Sequence, residues 1–168
     1  MKLLGILLGG LALFLMGNSL AARLKEEAGL LRKGQLLILR VRRELTVRKL
    51  PTGQLLRELA EDADFACFPF LQKMADRFTG TESPAFIWQE EIDRWKGLPH
   101  YPAGREAFRE LGGILGGSDG ESQAAALLLL EERMQNALSQ AEKKAAADGK
   151  LCRSLGALAG LMLAVLAI

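Results

Sequence analysis

Histidine and cysteine are nearly absent from this chain. It has one histidine, His100, and two cysteines, Cys67 and Cys152, with no CxxC pair. A structural zinc site asks for about four Cys or His ligands, and these residues cannot supply them. Nor can two cysteines build a disulfide framework; they read as reduced, apolar thiols. Phosphate-binding motifs are missing as well. Gly149-Lys150 is followed by Leu151, without the upstream glycine or the Ser/Thr of a P-loop. The glycine-rich stretch Gly112-Gly113-Ile114-Leu115-Gly116-Gly117 sits between helical patterns, whereas phosphate cradles follow a strand. It reads as a helix terminus and hinge. Glu90, Glu91 and Asp93 cluster beside Trp88 and Trp95. Adjacent helix positions do not face each other, so the cluster reads as a solvated outer face. His100, between Pro99 and Pro102, reads as a loop residue. The basic residues are not interleaved with aromatics, so a nucleic-acid stacking surface is not expected. With no catalytic residue, cofactor site or metal site in view, the expectation is a protein that is not an enzyme. It takes no small-molecule substrate and no nucleic acid.

Charge is missing from both ends. Residues 3–22 and residues 154–168 contain none, while residues 23–150 carry nearly all the Lys, Arg, Asp and Glu. A simple soluble globule would not partition its charge this way, and a polytopic transporter would need more apolar segments. Twenty uncharged residues from Leu3 to Ala22 make about 30 Å of helix, the thickness of a hydrocarbon core. A cleaved signal peptide competes, with Met1-Lys2 as its basic start and Ser19-Leu20-Ala21 as a small-x-small cleavage site. The flank decides for an anchor. Residues 23–43 hold Arg23, Lys25, Arg32, Lys33, Arg40, Arg42 and Arg43 against two glutamates, and basic flanks collect on the cytoplasmic side. The C-terminal run is shorter. Leu151 and Cys152 extend it past Arg153, giving about 25 Å of helix, enough to span if Arg153 snorkels. Its basic flank (Lys143, Lys144, Lys150 and Arg153) also faces the middle of the chain. One topology satisfies both ends: termini outside, residues 23–150 in the cytoplasm. Gly5/Gly9 and Gly156/Gly160 place small residues four apart in each segment, a spacing that lets helices approach closely in lipid.

The middle of the chain predicts helices throughout. Leu30, Leu37, Val41 and Leu45 form one apolar stripe. The stretch 36–47 also alternates like a strand, but no partner strand or hairpin turn follows it. Pro51 stops this helix and Thr52 caps the next, with Leu55, Leu56, Leu59 and Ala60 inward. Pro69 opens a helix bearing Leu71, Met74, Ala75 and Phe78, ended by Gly80. Ser83-Pro84 is an N-cap and N1 pair, starting a helix with Trp88, Ile92 and Trp95 on one face. Pro102 starts another, with Phe108, Leu111 and Leu115 inside. Ser118-x-x-Glu121 is a capping box, after which nothing decisively breaks the helical pattern before the chain ends. The expected architecture is all-α. An N-terminal transmembrane helix (1–23) and a C-terminal one (151–168) flank a compact bundle (24–150), and the last helix is long and continuous into the membrane.

Charge is segregated within that middle. Residues 23–50 are net +6 and residues 51–150 net −6. The basic stretch adjoins the first apolar run, where each Lys or Arg near anionic lipid gains about 1 kcal/mol. The other reading is a docking surface for an acidic partner, centred on Arg40, Arg42 and Arg43.

The chain resembles the stage III sporulation protein AB family of endospore-forming bacteria over essentially its whole length. The N-terminus Met1-Lys2-Leu3-Leu4-Gly5, the closing Ala22-Arg23-Leu24-Lys25 and Leu50-Pro51 before Leu55-Leu56 are similar to that family. More specific is Leu115-Gly116-Gly117-Ser118-Asp119-Gly120-Glu121-Ser122-Gln123, similar to L-G-x-[ST]-D-x-E-x-Q. Lys150-Leu151-Cys152-Arg153-Ser154-Leu155-Gly156 is similar to K-x-Y-[KR]-S-L-G, with Cys152 in place of the tyrosine. Arg40-Val41-Arg42-Arg43 is more basic than the family's helix there. The resemblance implies a multi-pass protein of the mother-cell membrane engulfing the forespore (the outer forespore membrane), with its central domain cytoplasmic. That domain would be similar to the F-type platform domains of type II secretion and type IV pilus machines. The implied role is a non-enzymatic platform of the stage III sporulation complex. It would couple a secretion-type ATPase to the channel between mother cell and forespore, and contact the other proteins of that complex. An F-like platform component of a secretion or pilus machine is the alternative. No catalytic residue is implied. Ser118, Asp119, Glu121 and Gln123 are expected to fix the start of the last helix, with Asp119 and Glu121 complementing its dipole, or to serve a partner.

Overall fold

The computed structural model describes residues 2–117 and 120–165, and all regular structure among them is helical. Six helices follow in order: α1 (Lys2–Thr46), α2 (Thr52–Glu61), α3 (Pro69–Arg77), α4 (Pro84–Arg94), α5 (Pro102–Leu115) and α6 (Gly120–Val165). A 3₁₀ turn, Ala63–Phe65, lies between α2 and α3. The stretch 36–47 is thus helical to Thr46, and α1 continues unbroken back through the first apolar run. No proline interrupts it before Pro51. It ends where Val47 N–H donates to the Arg43 carbonyl at 3.0 Å, Leu50 N–H donates to the Glu44 carbonyl at 3.1 Å, and Lys49 turns to a φ of 50°.

Proline starts the short helices at the expected places. Pro69, Pro84 and Pro102 sit in the first turn of α3, α4 and α5, where a missing N–H costs nothing. Ser83 takes the cap position of α4, but its hydroxyl makes no capping bond. Thr52 is not a cap: Pro51 holds that position, and Thr52 is the first helical residue. The side chain that does cap is Asp62. It follows α2 and accepts from Asp64 N–H at 2.9 Å, starting the 3₁₀ turn. α3 ends at Arg77, before Gly80, whose φ of 89° suits a residue without a Cβ.

Two compact units divide the chain. One is built from the residues up to Gly29 together with those from Ser139 on; the other is Leu30–Leu138. The division falls inside α1 and inside α6.

The Leu30–Leu138 unit has an aromatic core. α2 packs on α3, α3 on α4, and α4 on α5. Phe68 meets Phe70, Trp95 and Phe108 at ring-centroid distances of 5.8, 5.7 and 5.3 Å, and Phe70 stands edge-on to Trp88 at 5.0 Å. Trp88 is fully buried, and its indole N–H donates to the Phe108 carbonyl at 2.7 Å. Such a partner is what allows a Trp to be buried completely. α1 contributes Leu31, Leu37, Ile38 and Val41; Leu31, not Leu30, continues the stripe. Gly34 lets α1 come close to α5 and α6: a Cβ there would lie 2.5 Å from Phe108 Cζ and 3.2 Å from Met134 Cε. Gly112, inside the last turns of α5, lies directly against the Trp88 ring. It is a packing glycine rather than a hinge.

In the other unit the buried positions among the described residues are small. Ala21 and Ala28 of α1 and Ala141, Ala145 and Gly149 of α6 are buried. A Cβ on Gly149 would sit 3.7 Å from the Ala21 Cβ, so the helices meet at ordinary contact distance. Large apolar side chains of this unit face out, among them Leu15, Met16, Leu20, Leu155, Leu158 and Met162. Among the described residues, no helix is long and apolar enough to cross a membrane.

Gly112→Ala is expected to destabilise the chain. The added methyl drives into Trp88, and overpacking of this kind costs about 1–3 kcal/mol. That exceeds the gain of about 1 kcal/mol from replacing a helical glycine. Equilibrium unfolding monitored by tryptophan fluorescence measures the difference.

Candidate functional site: an arginine-lined groove

Near its end α1 carries Arg40, Arg42 and Arg43, with Glu44 next to them, and Arg48 follows in the turn after the helix. Glu44 lies on the inward side of the helix and is 1% exposed. A buried carboxylate must be paired, and three guanidiniums reach it. Arg40 Nε lies 3.0 Å from Oε1, Arg43 Nη2 3.3 Å from Oε1, and Arg48 Nη1 2.8 Å from Oε2. Arg48 also reaches Glu58 of α2 at 3.2 Å, tying the end of α1 to α2. Burial alone would raise the Glu44 carboxyl, but hydrogen bonds from Arg48 and Arg43 and the charges of Arg48 and Arg40 hold it below its ordinary 4.5. Arg42 points elsewhere, with Nε 3.2 Å from Glu131 Oε2 of α6.

Arg40, Arg42 and Arg43 line an open groove of about 760 Å³, contained within the Leu30–Leu138 unit. Three parts of the chain form it. The outward face of α1 supplies Leu36, Leu39 and Val47 beside Arg40, Arg42 and Arg43. Asp62, Asp64 and Phe65 come from the turn after α2. Ala124, Ala125 and Leu128 come from the first turns of α6. Asp64 is paired with Lys33 at 3.1 Å. Arg40, Arg42 and Arg43 therefore share one surface, and the start of α6 contributes to it.

The other residues picked from the sequence take separate places. Gln123 binds the end of α5: its Nε2 donates to the Ile114 carbonyl at 2.6 Å, satisfying a helix-terminal acceptor. Glu121 is exposed in the first turn of α6. Ser118 and Asp119 lie outside the described residues. Gly5, Gly9 and Gly160 lie on helical backbone, but their surroundings lie outside the described residues too; Gly156 is half-exposed on α6.

The carboxylate cluster of α4 corrects the reading of a solvated face. Asp93 is exposed, but Glu91 is only 4% exposed. Arg77 of α3 donates to Glu91 at 2.7 Å and to Glu90 at 2.8 Å, and Arg94 reaches Glu91 at 3.0 Å. Burial would raise the Glu91 carboxyl, yet the Arg77 bond and the charges of Arg94 and Arg77 hold it below 4.5. This is a clamp between α3 and α4. Sequence adjacency of acids hid it, because the basic partner comes from another helix. Cys67 is exposed, not apolar interior, and His100 is exposed in its loop. Among the described residues, no group of three or more His, Cys, Asp or Glu is placed to hold a metal ion.

The profile of the stage III sporulation protein AB family matches residues 2–168. The chain belongs to that family. No curated protein and no solved structure gives a significant match. Family membership makes the chain a sporulation-associated protein.

Two outcomes test the electrostatic and capping assignments. Both Glu44 and Glu91 titrate lower in the folded chain than in the unfolded one. They therefore add stability above about pH 4.5, and that stability is lost as the pH falls below it. Acid unfolding followed by circular dichroism should show this loss, and Glu91→Gln should flatten it. Separately, Gln123→Ala should cost about 1 kcal/mol, the net worth of a hydrogen bond. Glu121→Ala should change stability by less than about 0.5 kcal/mol, as an exposed site does. Denaturant titration of the two variants compares them.

Proposed function

We propose that this sporulation protein is a non-enzymatic membrane platform of the stage III sporulation complex, anchored by its two apolar ends in the mother-cell membrane around the forespore. The observation that carries the reading is the continuity of α1 and α6. Each is a single helix of 45 or 46 residues that contains one uncharged run and also contributes to the bundle. A displacement at one end of an unbroken helix is transmitted along its hydrogen-bonded backbone, which a hinged linker would not do. Leu15, Met16, Leu20, Leu155, Leu158 and Met162 turn large apolar side chains outward, which suits a lipid surround. Lys25, Lys143, Lys144 and Lys150 follow or precede these runs on the side of the bundle residues, as basic residues do at a cytoplasmic boundary. With the bundle in the mother-cell cytoplasm, the groove faces the compartment where a secretion-type ATPase would act, and coupling that ATPase to the intercellular channel is the proposed task.

The test combines placement and function. In sporulating cells the full chain should resist carbonate extraction from membranes, and a reporter fused after residue 100 should be shielded from external protease. A proline at Ala146 should break α6, since proline in a helix interior costs about 3 kcal/mol. It should abolish spore formation while the protein still accumulates in the membrane. Extraction by carbonate, or digestion of the bundle from outside, would overturn the reading.

A further inference from the structure

The groove on α1 has a chemistry of its own. Its floor is apolar and open to solvent: Leu36 is 46% exposed, Leu128 57% and Val47 75%. Large side chains left bare on a concave surface favour an occupant that covers them. Its charge is fixed in place. Arg40, Arg43 and Arg48 converge on Glu44, whose two oxygens cannot neutralise three guanidiniums even with Glu58 taking a share of Arg48. Positive charge is left over where Arg40 and Arg43 line the groove. Arginine forks held in position bind carboxylates with two parallel bonds. The same groove carries Asp62 and Asp64. Cations and acids thus alternate along one surface, a pattern that a protein segment with its own mixed charge matches better than the uniform negative charge of a lipid surface or a nucleic acid.

We propose that this groove is the docking site for an amphipathic helix of a partner protein, one with an apolar stripe and Asp or Glu on the flank that meets Arg40 and Arg43. Helix-in-groove recognition works through apolar anchors one turn apart with charges fixing the orientation. Leu36 to Val47 covers about 16 Å of α1, which sets the seat at roughly three turns of partner helix. The surface lies wholly within Leu30–Leu138 and goes beyond the platform role without depending on it.

The test is site-specific photocrosslinking in sporulating cells, using the full chain with benzoylphenylalanine in place of Leu36 or of Leu128. The same group at Phe86, an exposed position outside the groove, is the control. Mass spectrometry of the adducts should find a segment of another protein, helical by pattern, apolar on one face and acidic beside it. Arg43→Glu should lower the yield roughly tenfold, and changing the facing acid to Arg should restore it. Because Arg43 also touches Glu44, Val47→Asp provides a second variant: at 75% exposure it leaves the fold intact and should lower the yield similarly. Adducts only with lipid, with nucleic acid, with a basic segment or with a second copy of this chain would overturn the proposal. So would a yield no higher than at Phe86, or one indifferent to both variants. Membrane extraction is read separately, so a captured helix in a chain that leaves the membrane would count against the platform and not against the groove.

Discussion

Helices of nine to fourteen residues are marginal in water by themselves, because nucleation costs more than so few hydrogen bonds return. α2 to α5 are all of that length. What keeps them is burial around one aromatic cluster, where Phe68, Phe70, Trp88 and Phe108 are all nearly inaccessible. The cluster needs glycine at two places. Gly34 admits Phe108 and Met134 to α1, and Gly112 admits Trp88 to α5. The groove, the arginine fan and the position of α6 all depend on α1 being held against this core.

Ion pairs then set the edges. The charge segregation of the sequence, basic to residue 50 and acidic after it, is used in folding. Arg42 meets Glu131, Arg48 meets Glu58, and Lys33 meets Asp64. Each joins a cation of the basic stretch to an acid from the later region. Of these, the Lys33–Asp64 pair is open to solvent, and exposed pairs add little apiece. Glu44 and Glu91 differ because they are buried, and removing a partner would leave a carboxylate without solvent or cation. Arg48 bridges Glu44 and Glu58 only when the end of α1 and α2 are in register.

The proposed platform role asks for surfaces and stiffness more than for a pocket with chemistry. Two long helices and a groove with an apolar floor and arginines suit that proposal. The small-residue contact of Ala21 with Gly149 lets α1 and α6 lie close together there.

The all-α class, the proline starts of α3, α4 and α5, the length of α6 and the inward faces of α2 and α5 were readable from residue order. Each depends on local rules: where a proline is tolerated, and which residues share a helical face every 3.6 positions. The family was also legible in the motifs around Ser118 and Lys150. Other features were not. The sequence does not mark Glu44 or Glu91 as buried: the arginines around Glu44 are its own neighbours and look like a solvated charged face, while Arg77 reaches Glu91 from another helix. Thr52 looked like a cap, yet Pro51 took that position; Ser83 does hold the cap position of α4, although its hydroxyl makes no capping bond. The glycine-rich stretch 112–117 does hold the end of α5, as read, but Gly112 within the helix is a packing contact. The groove is the clearest case: α1, the turn after α2 and the start of α6 are far apart along the chain and become one surface only on folding. Sequence by itself settled which segments are helical and which faces are apolar, because those follow from neighbours within a turn. Tertiary structure decided which charges are buried and which apolar faces stay bare, because that depends on what arrives from elsewhere.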